Sequence, residues 1–244
     1  MNTPYFFEND NFILYNGDTN SILSEINMQV DMIFADPPYF LSNQKKTIQF
    51  GKEKIRDKGE WDRVISWEEI NAFNKAWISK CRSVLKEDGT IWICGTYHNI
   101  YSVEQSLIEL GFKILNIVVW QKLDQPPTPY GGRLNFSAEY LIWARKNENV
   151  KHCFNYDLLK YMNGGAEMPD VWKFARPGFW ERTCGKHPTQ KPLRLLYRVI
   201  QTCTQENFLI LDPFAGSCTT GIAANLLNRR FIGIDMNKDY LDYG

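Results

Sequence analysis

The sequence predicts an α/β protein built on a doubly wound, mostly parallel sheet, and three observations carry that prediction. Apolar runs of strand length alternate with stretches of helical period along the 244 residues, the pattern of strands joined by crossover helices. Two of those runs open directly into turns rich in polar and small residues, Asp36-Pro37-Pro38-Tyr39 and Asp212-Pro213-Phe214-Ala215-Gly216. A third, Phe231-Ile232-Gly233-Ile234, ends in Asp235. Ligands of open α/β sheets bind at the carboxyl ends of strands, so all three are candidate site segments.

Taken in order, Phe12-Ile13-Leu14-Tyr15 reads as a short strand and 31–35 as a second, with a helix over 18–27 between them. The segment 42–63 carries Lys45, Lys46, Lys52, Lys54, Arg56, Lys58 and Arg63 with few apolar residues, and reads as a mobile basic loop. Ser66-Trp67-Glu68-Glu69 fits a capping box and starts a helix expected to run to Lys86, ahead of Asp88-Gly89. Thr90 to Cys94 is the next buried strand. A helix over 98–110 stops at Gly111, and strands follow over 112–121 and 139–144. The stretch 147–185 lacks a sustained period yet holds Trp172, Phe174, Phe179 and Trp180 among basic residues, and reads as an insert. Alternation resumes with a helix over 191–202, a strand over 207–211, a helix over 219–228 and a strand over 230–235.

Composition narrows the function classes. No stretch has the apolar length of a membrane span, and the first residues lack a signal-peptide pattern, so a cytoplasmic protein is expected. The six cysteines show no C-x-x-C pairing and the three histidines are scattered, so neither a metal site nor a disulfide framework is expected. Formal net charge is zero, so a nucleic-acid partner requires its basic residues to be segregated on one face.

The two turns suggest complementary chemistry. Two prolines hold the main chain extended after Asp36, leaving the Asp36 carboxylate and the Pro37 carbonyl as a rigid acceptor pair beside the Tyr39 ring. That arrangement suits a planar ring gripped by its NH2 group. The second turn leads into a helix start at Thr219-Thr220, lacks the lysine of a P-loop and does not fit G-x-G-x-x-G. With Asp235 at the tip of the next strand as a ribose ligand, it points to a nucleoside cofactor without a phosphate grip.

Those residues carry a resemblance. Asp36-Pro37-Pro38-Tyr39, Asp212-Pro213-Phe214-Ala215-Gly216-Ser217 and His187-Pro188-Thr189-Gln190-Lys191-Pro192 are similar to motifs of the β-group DNA amino-methyltransferases of bacterial restriction-modification systems, in which the catalytic motif precedes the cofactor motif. The wording of 31–43, 141–147 and 185–192 is most similar to DpnA-like adenine methylases, whose target is GATC. The resemblance implies a single domain with a seven-stranded Rossmann-like sheet. Its catalytic half would cover 1–146, a target-recognition insert 147–185 and a cofactor half 186–244.

The resemblance implies S-adenosylmethionine as cofactor and methyl transfer to the N6 amine of a flipped adenine. Asp36 and the Pro37 carbonyl would accept the amine hydrogens, and Tyr39 would stack on the base. Asp235 would bind the ribose and Asp18 would lie near the adenine end. Lys191 and Thr189 would lie near the methionine carboxylate, and Asp36, Asp212, Phe214, Gly216, Ser217, Thr219 and Thr220 would line the pocket. Candidate DNA contacts are Lys45, Lys46, Arg133, Trp172 and Arg176, with core packing the competing role for Trp172. The implied partners are double-stranded DNA, with single-stranded DNA as a second form, a homodimer as an option and a functionally linked restriction enzyme; the implied location is the bacterial nucleoid.

Three departures stand out. Cys218 occupies a position where the family has glycine, so it either crowds the methionine end of the cofactor or is accommodated by a backbone of negative φ. The segment 125–136 differs in wording, and the sequence stops at Gly244 where the family carries on into a further helix. Two alternatives therefore stand beside adenine methylation: cytosine N4 methylation, and a non-catalytic module that binds S-adenosylmethionine or DNA.

Overall fold

A computed structural model describes residues 4–8, 11–41, 46–49, 52–55, 63–125, 132, 134–182 and 189–242. The strands are β1 (Phe6–Glu8), β2 (Phe12–Asn16), β3 (Val30–Ala35), β4 (Lys46–Gln49), β5 (Lys52–Ile55), β6 (Leu85–Gly95), β7 (Lys113–Lys122), β8 (Ala138–Arg145), β9 (Val171–Phe174), β10 (Leu209–Asp212) and β11 (Arg230–Asp235). The helices are α1 (Thr19–Glu25), α2 (Trp67–Val84), α3 (Ile100–Glu109), α4 (Tyr156–Met162), α5 (Leu193–Cys203), α6 (Thr219–Leu226) and α7 (Lys238–Leu241).

Nine strands form the main sheet in the order β1-β2-β11-β10-β3-β6-β8-β7-β9. From β2 to β6 every pairing is parallel, and β8 runs antiparallel to both β6 and β7. The seven expected strands form the middle of this sheet, flanked by two edge strands that sequence pattern did not reveal.

Alternating side chains divide the core between two faces. Phe12, Leu14, Met32, Phe34, Trp92 and Cys94 pack with α5 and α6. Ile13, Ile33, Ala35, Ile91 and Ile93 pack with α1, α2 and α3. Period-two alternation in strands apolar on both sides is what a sheet covered by helices on each face requires. Helix α6 approaches closely because position 221 is glycine: a Cβ there would meet the Phe231 ring at 2.6 Å and Phe12 at 2.8 Å.

Several element readings change. The capping box at Ser66 is present, with Glu69 N donating to Ser66 Oγ and Ser66 N to Glu69 Oε2. However, α2 ends at Val84, and β6 takes over at Leu85 because its pairing with Val30 of β3 reaches back that far. The 42–63 segment, expected as loop, contains the antiparallel hairpin β4–β5. The 147–185 segment is not merely an insert. Its β9 pairs in parallel with β7, placing Trp172 opposite Trp120.

Candidate active site

Both site turns leave the carboxyl rim of the sheet side by side, because β10 pairs with β3 through Ile210–Met32 and Leu211–Ile33. A cavity of about 690 Å³ opens along that rim, within the range of ligand pockets. Every catalytic and cofactor candidate lines it: Asp36, Pro37 and Tyr39 with Asp18, Thr189, Lys191, Asp212, Phe214, Gly216, Ser217, Thr219, Thr220 and Asp235.

At one end Asp36 sits in a buried polar network. Tyr39 Oη donates to Asp36 Oδ1 at 2.8 Å and lies 3.2 Å from Glu139 Oε2. Lys191 Nζ donates to Asp36 Oδ2 at 2.5 Å, lies 3.5 Å from Glu139 Oε2 and stands 5.3 Å from the centre of the Tyr39 ring. Lys122 in turn holds Glu139 Oε1 at 2.5 Å. Burial raises the Asp36 carboxyl, Lys191 opposes that rise and Glu139 adds to it, leaving Asp36 above the usual carboxylate range. Burial disfavours the Lys191 ammonium, but Asp36 and Glu139 outweigh it and hold the lysine charged.

This geometry revises two expectations. Lys191 is not a helix-start residue, since α5 begins at Leu193, and its ammonium pairs with the Asp36 carboxylate while it lines the cavity. Tyr39 is not a bare ring: it is 6% exposed and its hydroxyl fixes Asp36.

At the other end the Asp212–Thr220 turn is shaped by its own acids. Asp212 accepts from Phe214 N at 3.0 Å and from Thr220 Oγ1 at 2.6 Å, and burial pushes it up to about 7. Asp235 accepts from Gly216 N and Asn237 N, each at 2.8 Å. Burial raises its carboxyl, with those two amides opposing. Gly216 has φ +50, a left-handed turn that brings its amide onto Asp235. Asp18 caps α1 by accepting from Ser21 N at 2.9 Å and also faces the cavity. Thr19 Oγ1 donates to the Pro213 carbonyl at 2.6 Å and ties α1 to the turn.

Cys218 resolves differently from either expectation. Its φ is +54, which explains why a glycine suits the position. Its side chain is fully buried in the core cluster and is not among the described cavity-lining residues, so it does not crowd the pocket.

Sequence reasoning missed part of the wall. Phe40, Phe73 and Trp77 join the expected Phe214 in an aromatic side, with Trp77 edge-on to Phe214 at 5.1 Å and Phe40 edge-on to Phe73 at 5.4 Å. Buried Asn74 accepts from Trp77 Nε1 at 3.1 Å and fixes that ring. Glu139 was legible only as a strand start. Because β8 is antiparallel, with Tyr140 opposite Gly95, that start lies on the carboxyl rim.

Of the DNA-contact candidates, the two whose side chains are described, Trp172 and Arg176, do not line the cavity. Trp172 is 3% exposed, packs against Trp92 and donates to the Pro169 carbonyl at 2.7 Å, so it is core. Arg176 is exposed but pairs with Asp124 at 3.3 Å. Lys45 and Arg133 lie outside the described residues, as does the side chain of Lys46.

The donor set fits a nucleoside sulfonium. Asp235 offers a carboxylate for ribose hydroxyls, Asp18 adds a second acceptor on the cavity wall, the aromatic side offers a face for a flat ring, and buried Asn20 Oδ1, which lines the cavity, has no partner among the described residues. No His/Cys/Asp/Glu group suited to a metal ion occurs among the described residues.

Comparisons with known proteins agree with the fold and give the family. Residues 30–244 match the family model described as DNA methylase, of the N6/N4 type. The chain is 48% identical over 241 residues to the Type II methyltransferase M2.MboI of Moraxella bovis, covering 98% of this chain and 88% of that one. It is 48% identical over 243 residues to the Type II methyltransferase M2.DpnII of Streptococcus pneumoniae, covering 99% and 90%. Among solved structures, a complex of M1.HpyAVI with SAM shares 28% identity and a TM-score of 0.72 over 95% of this chain and 96% of that one. The cytosine-N4-specific PvuII methyltransferase shares the fold at a TM-score of 0.74 and 20% identity, over 94% and 83%.

Proposed function

Because the chain belongs to the N6/N4 DNA methylase family, we propose that it methylates the N6 amine of an adenine flipped out of DNA, with Asp36 and the Pro37 carbonyl as the amine's acceptors. It is a DNA methyltransferase that uses S-adenosylmethionine. That cofactor supplies a methyl group on a positively charged sulfur, and Asp235, Asp18 and the turn from Asp212 to Thr220 would hold it. The observation that carries the reading is one continuous cavity with Asp36 at one end and Asp235 at the other.

An exocyclic amine is a weak nucleophile because its lone pair is delocalised into the ring. Accepting its two N–H groups on a carboxylate and a carbonyl favours a tetrahedral nitrogen and aims the lone pair into the cavity, which is catalysis by positioning and fixed charge. The Asp36 bond is the stronger because it is charge-assisted. An amine inside a duplex cannot reach this cavity, so the base must leave the stack, at about a few kcal/mol. The hydroxyl of Tyr39 holds the carboxylate while its ring lines the cavity.

Incubating GATC-bearing oligonucleotides with enzyme and S-adenosylmethionine, then digesting to nucleosides, tests the assignment. N6-methyladenine is expected; N4-methylcytosine as the sole product would sink it. The reading extends to a cytoplasmic enzyme at the nucleoid, to the modification half of a restriction-modification pair and to a homodimer. Among the described residues no helix is long and apolar enough to cross a membrane. Modified-base sequencing of a host genome tests the restriction-modification link, and sedimentation tests the dimer.

A further inference from the structure

Both oxygens of Asp36 are held, and the two groups that hold them share one further contact. Tyr39 bonds Oδ1 and Lys191 bonds Oδ2, while both lie within 3.5 Å of Glu139 Oε2. Lys122 anchors the other oxygen of Glu139. Asp36, Tyr39 and Lys191 line the cavity, but neither Glu139 nor Lys122 is among its described lining residues. The pair therefore stands behind the reacting end, one contact removed from it.

Resting on the amine-methylation reading, we propose that Glu139, anchored by Lys122, is a positioning residue that acts on the target amine through Asp36, fixing where the carboxylate points and how strongly it accepts. The pair is charge-balanced: Glu139 and Asp36 face Lys122 and Lys191, so each member sets the field the others feel. Tyr39 Oη stands between the two carboxylates, donating to Asp36 Oδ1 at 2.8 Å and lying 3.2 Å from Glu139 Oε2, so the two acids are close enough for each charge to disfavour ionisation of the other. Among the described residues, the other ionisable groups facing Asp36 are the buried Cys94 thiol, held neutral by burial, and Asp212 across the rim. Burial makes Asp36 harder to ionise and the Glu139 charge adds to that effect. Burial would raise Glu139 too, but Lys191 and Lys122 outweigh it and keep Glu139 below its ordinary value, a permanent anion.

The signs follow. Removing the Glu139 charge eases ionisation of Asp36 and moves the acid limb of the transfer rate down in pH. Removing the Lys122 charge leaves Glu139 uncompensated and moves the limb up.

The test is the single-turnover rate of methyl transfer to duplex DNA between about pH 5 and 9, with calorimetry of S-adenosylmethionine binding alongside. Glu139→Gln should lower the limb by about one unit and the plateau about tenfold. Lys122→Met should raise the limb by about one unit. Glu139→Asp, which keeps the charge, should leave the limb near wild type even where the plateau falls, and it carries the test if Glu139→Gln fails to fold. Cofactor affinity should stay within about threefold in all three variants, since neither residue lines the cavity. Limbs that stay put, or that move the same way in Glu139→Gln and Lys122→Met, would overturn the proposal while leaving amine methylation standing. A wild-type protein that transfers no methyl group to DNA would overturn both.

Discussion

Replacing Asp36 separates charge from shape at the reacting end. In Asp36→Asn the carboxamide keeps the volume and one acceptor. Its oxygen is required opposite Lys191, so its NH2 falls opposite Tyr39, whose hydroxyl can turn to accept it and donate to Glu139, 3.2 Å away. The hydrogen-bond count survives and only the charge is lost. A charge-assisted bond exceeds a neutral one by about 1–2 kcal/mol, so transfer should slow by roughly 5–30-fold. Asp36→Ala removes the acceptor altogether and should slow transfer about 10²–10³-fold, the scale of deleting one fixed transition-state partner. It also leaves Lys191 buried with Glu139, at 3.5 Å, as its remaining counter-charge among the described residues. The stability loss should approach the lower end of the ~3–5 kcal/mol for breaking a buried pair. Radiolabelled methyl transfer under single-turnover conditions gives the rate, calorimetry the cofactor affinity and urea titration the stability. Affinity for S-adenosylmethionine should change less than about threefold, because the cofactor end is built from other residues. Asp36→Ala transferring at more than a tenth of the wild-type rate would refute the assigned role.

Asp235→Ala removes the acceptor for Gly216 N and Asn237 N and should weaken cofactor binding by at least about tenfold; an unchanged dissociation constant counts against Asp235. Burial pushes the Asp212 carboxyl up to about 7 in the folded chain, well above the ordinary aspartate value of 3.8. Between those values the folded state binds the extra proton, so stability falls as pH rises through the window, by about 1.4 kcal/mol per unit at most. Asp212→Asn should flatten urea-denaturation stability against pH between 4 and 7, and an unchanged slope would contradict the buried acid. Trp172→Ala should cost about 3–5 kcal/mol in thermal or urea unfolding without changing which DNA sequence is methylated. Altered sequence preference at intact stability would restore Trp172 as a DNA contact.

The sequence was most legible where chemistry and local pattern coincide. Strand ends marked by Asp36, Asp212 and Asp235 are visible because an apolar run stops at an acid, and all three reach one cavity. Pairings that depend on distant partners were not visible. β9 carries only Val171–Phe174, and it is a strand because β7 offers an edge. β1 is held by β2 in the same way. Lys191 could be placed near the cofactor by motif, but its actual partner is fixed by the adjacency of β3 to the segment leading into α5, which no local pattern encodes. Glu139 was hidden for a related reason. The start of a strand is ordinarily remote from the carboxyl rim, and only the reversed direction of β8 brings Glu139 there. Cys218 shows a further limit, since the sign of φ at a turn depends on the whole Asp212–Thr220 geometry.

The strand order also constrains how such a chain is made. β2 and β3 emerge early and are joined by one short helix, yet in the finished sheet they are held apart by β11 and β10. Until residues 209–235 have been synthesised, the facing edges of β2 and β3 have no partners, although β1 and β6 cover their other edges, and Ile13 and Ile33 lack the two strands between them that complete their layer. Closing the gap requires contacts across almost the full length of the chain, which slows folding and lengthens exposure of unpaired edges. The cavity is therefore the last part of the molecule to exist: a nascent chain ending before Leu209 carries Asp36 but has no pocket to face.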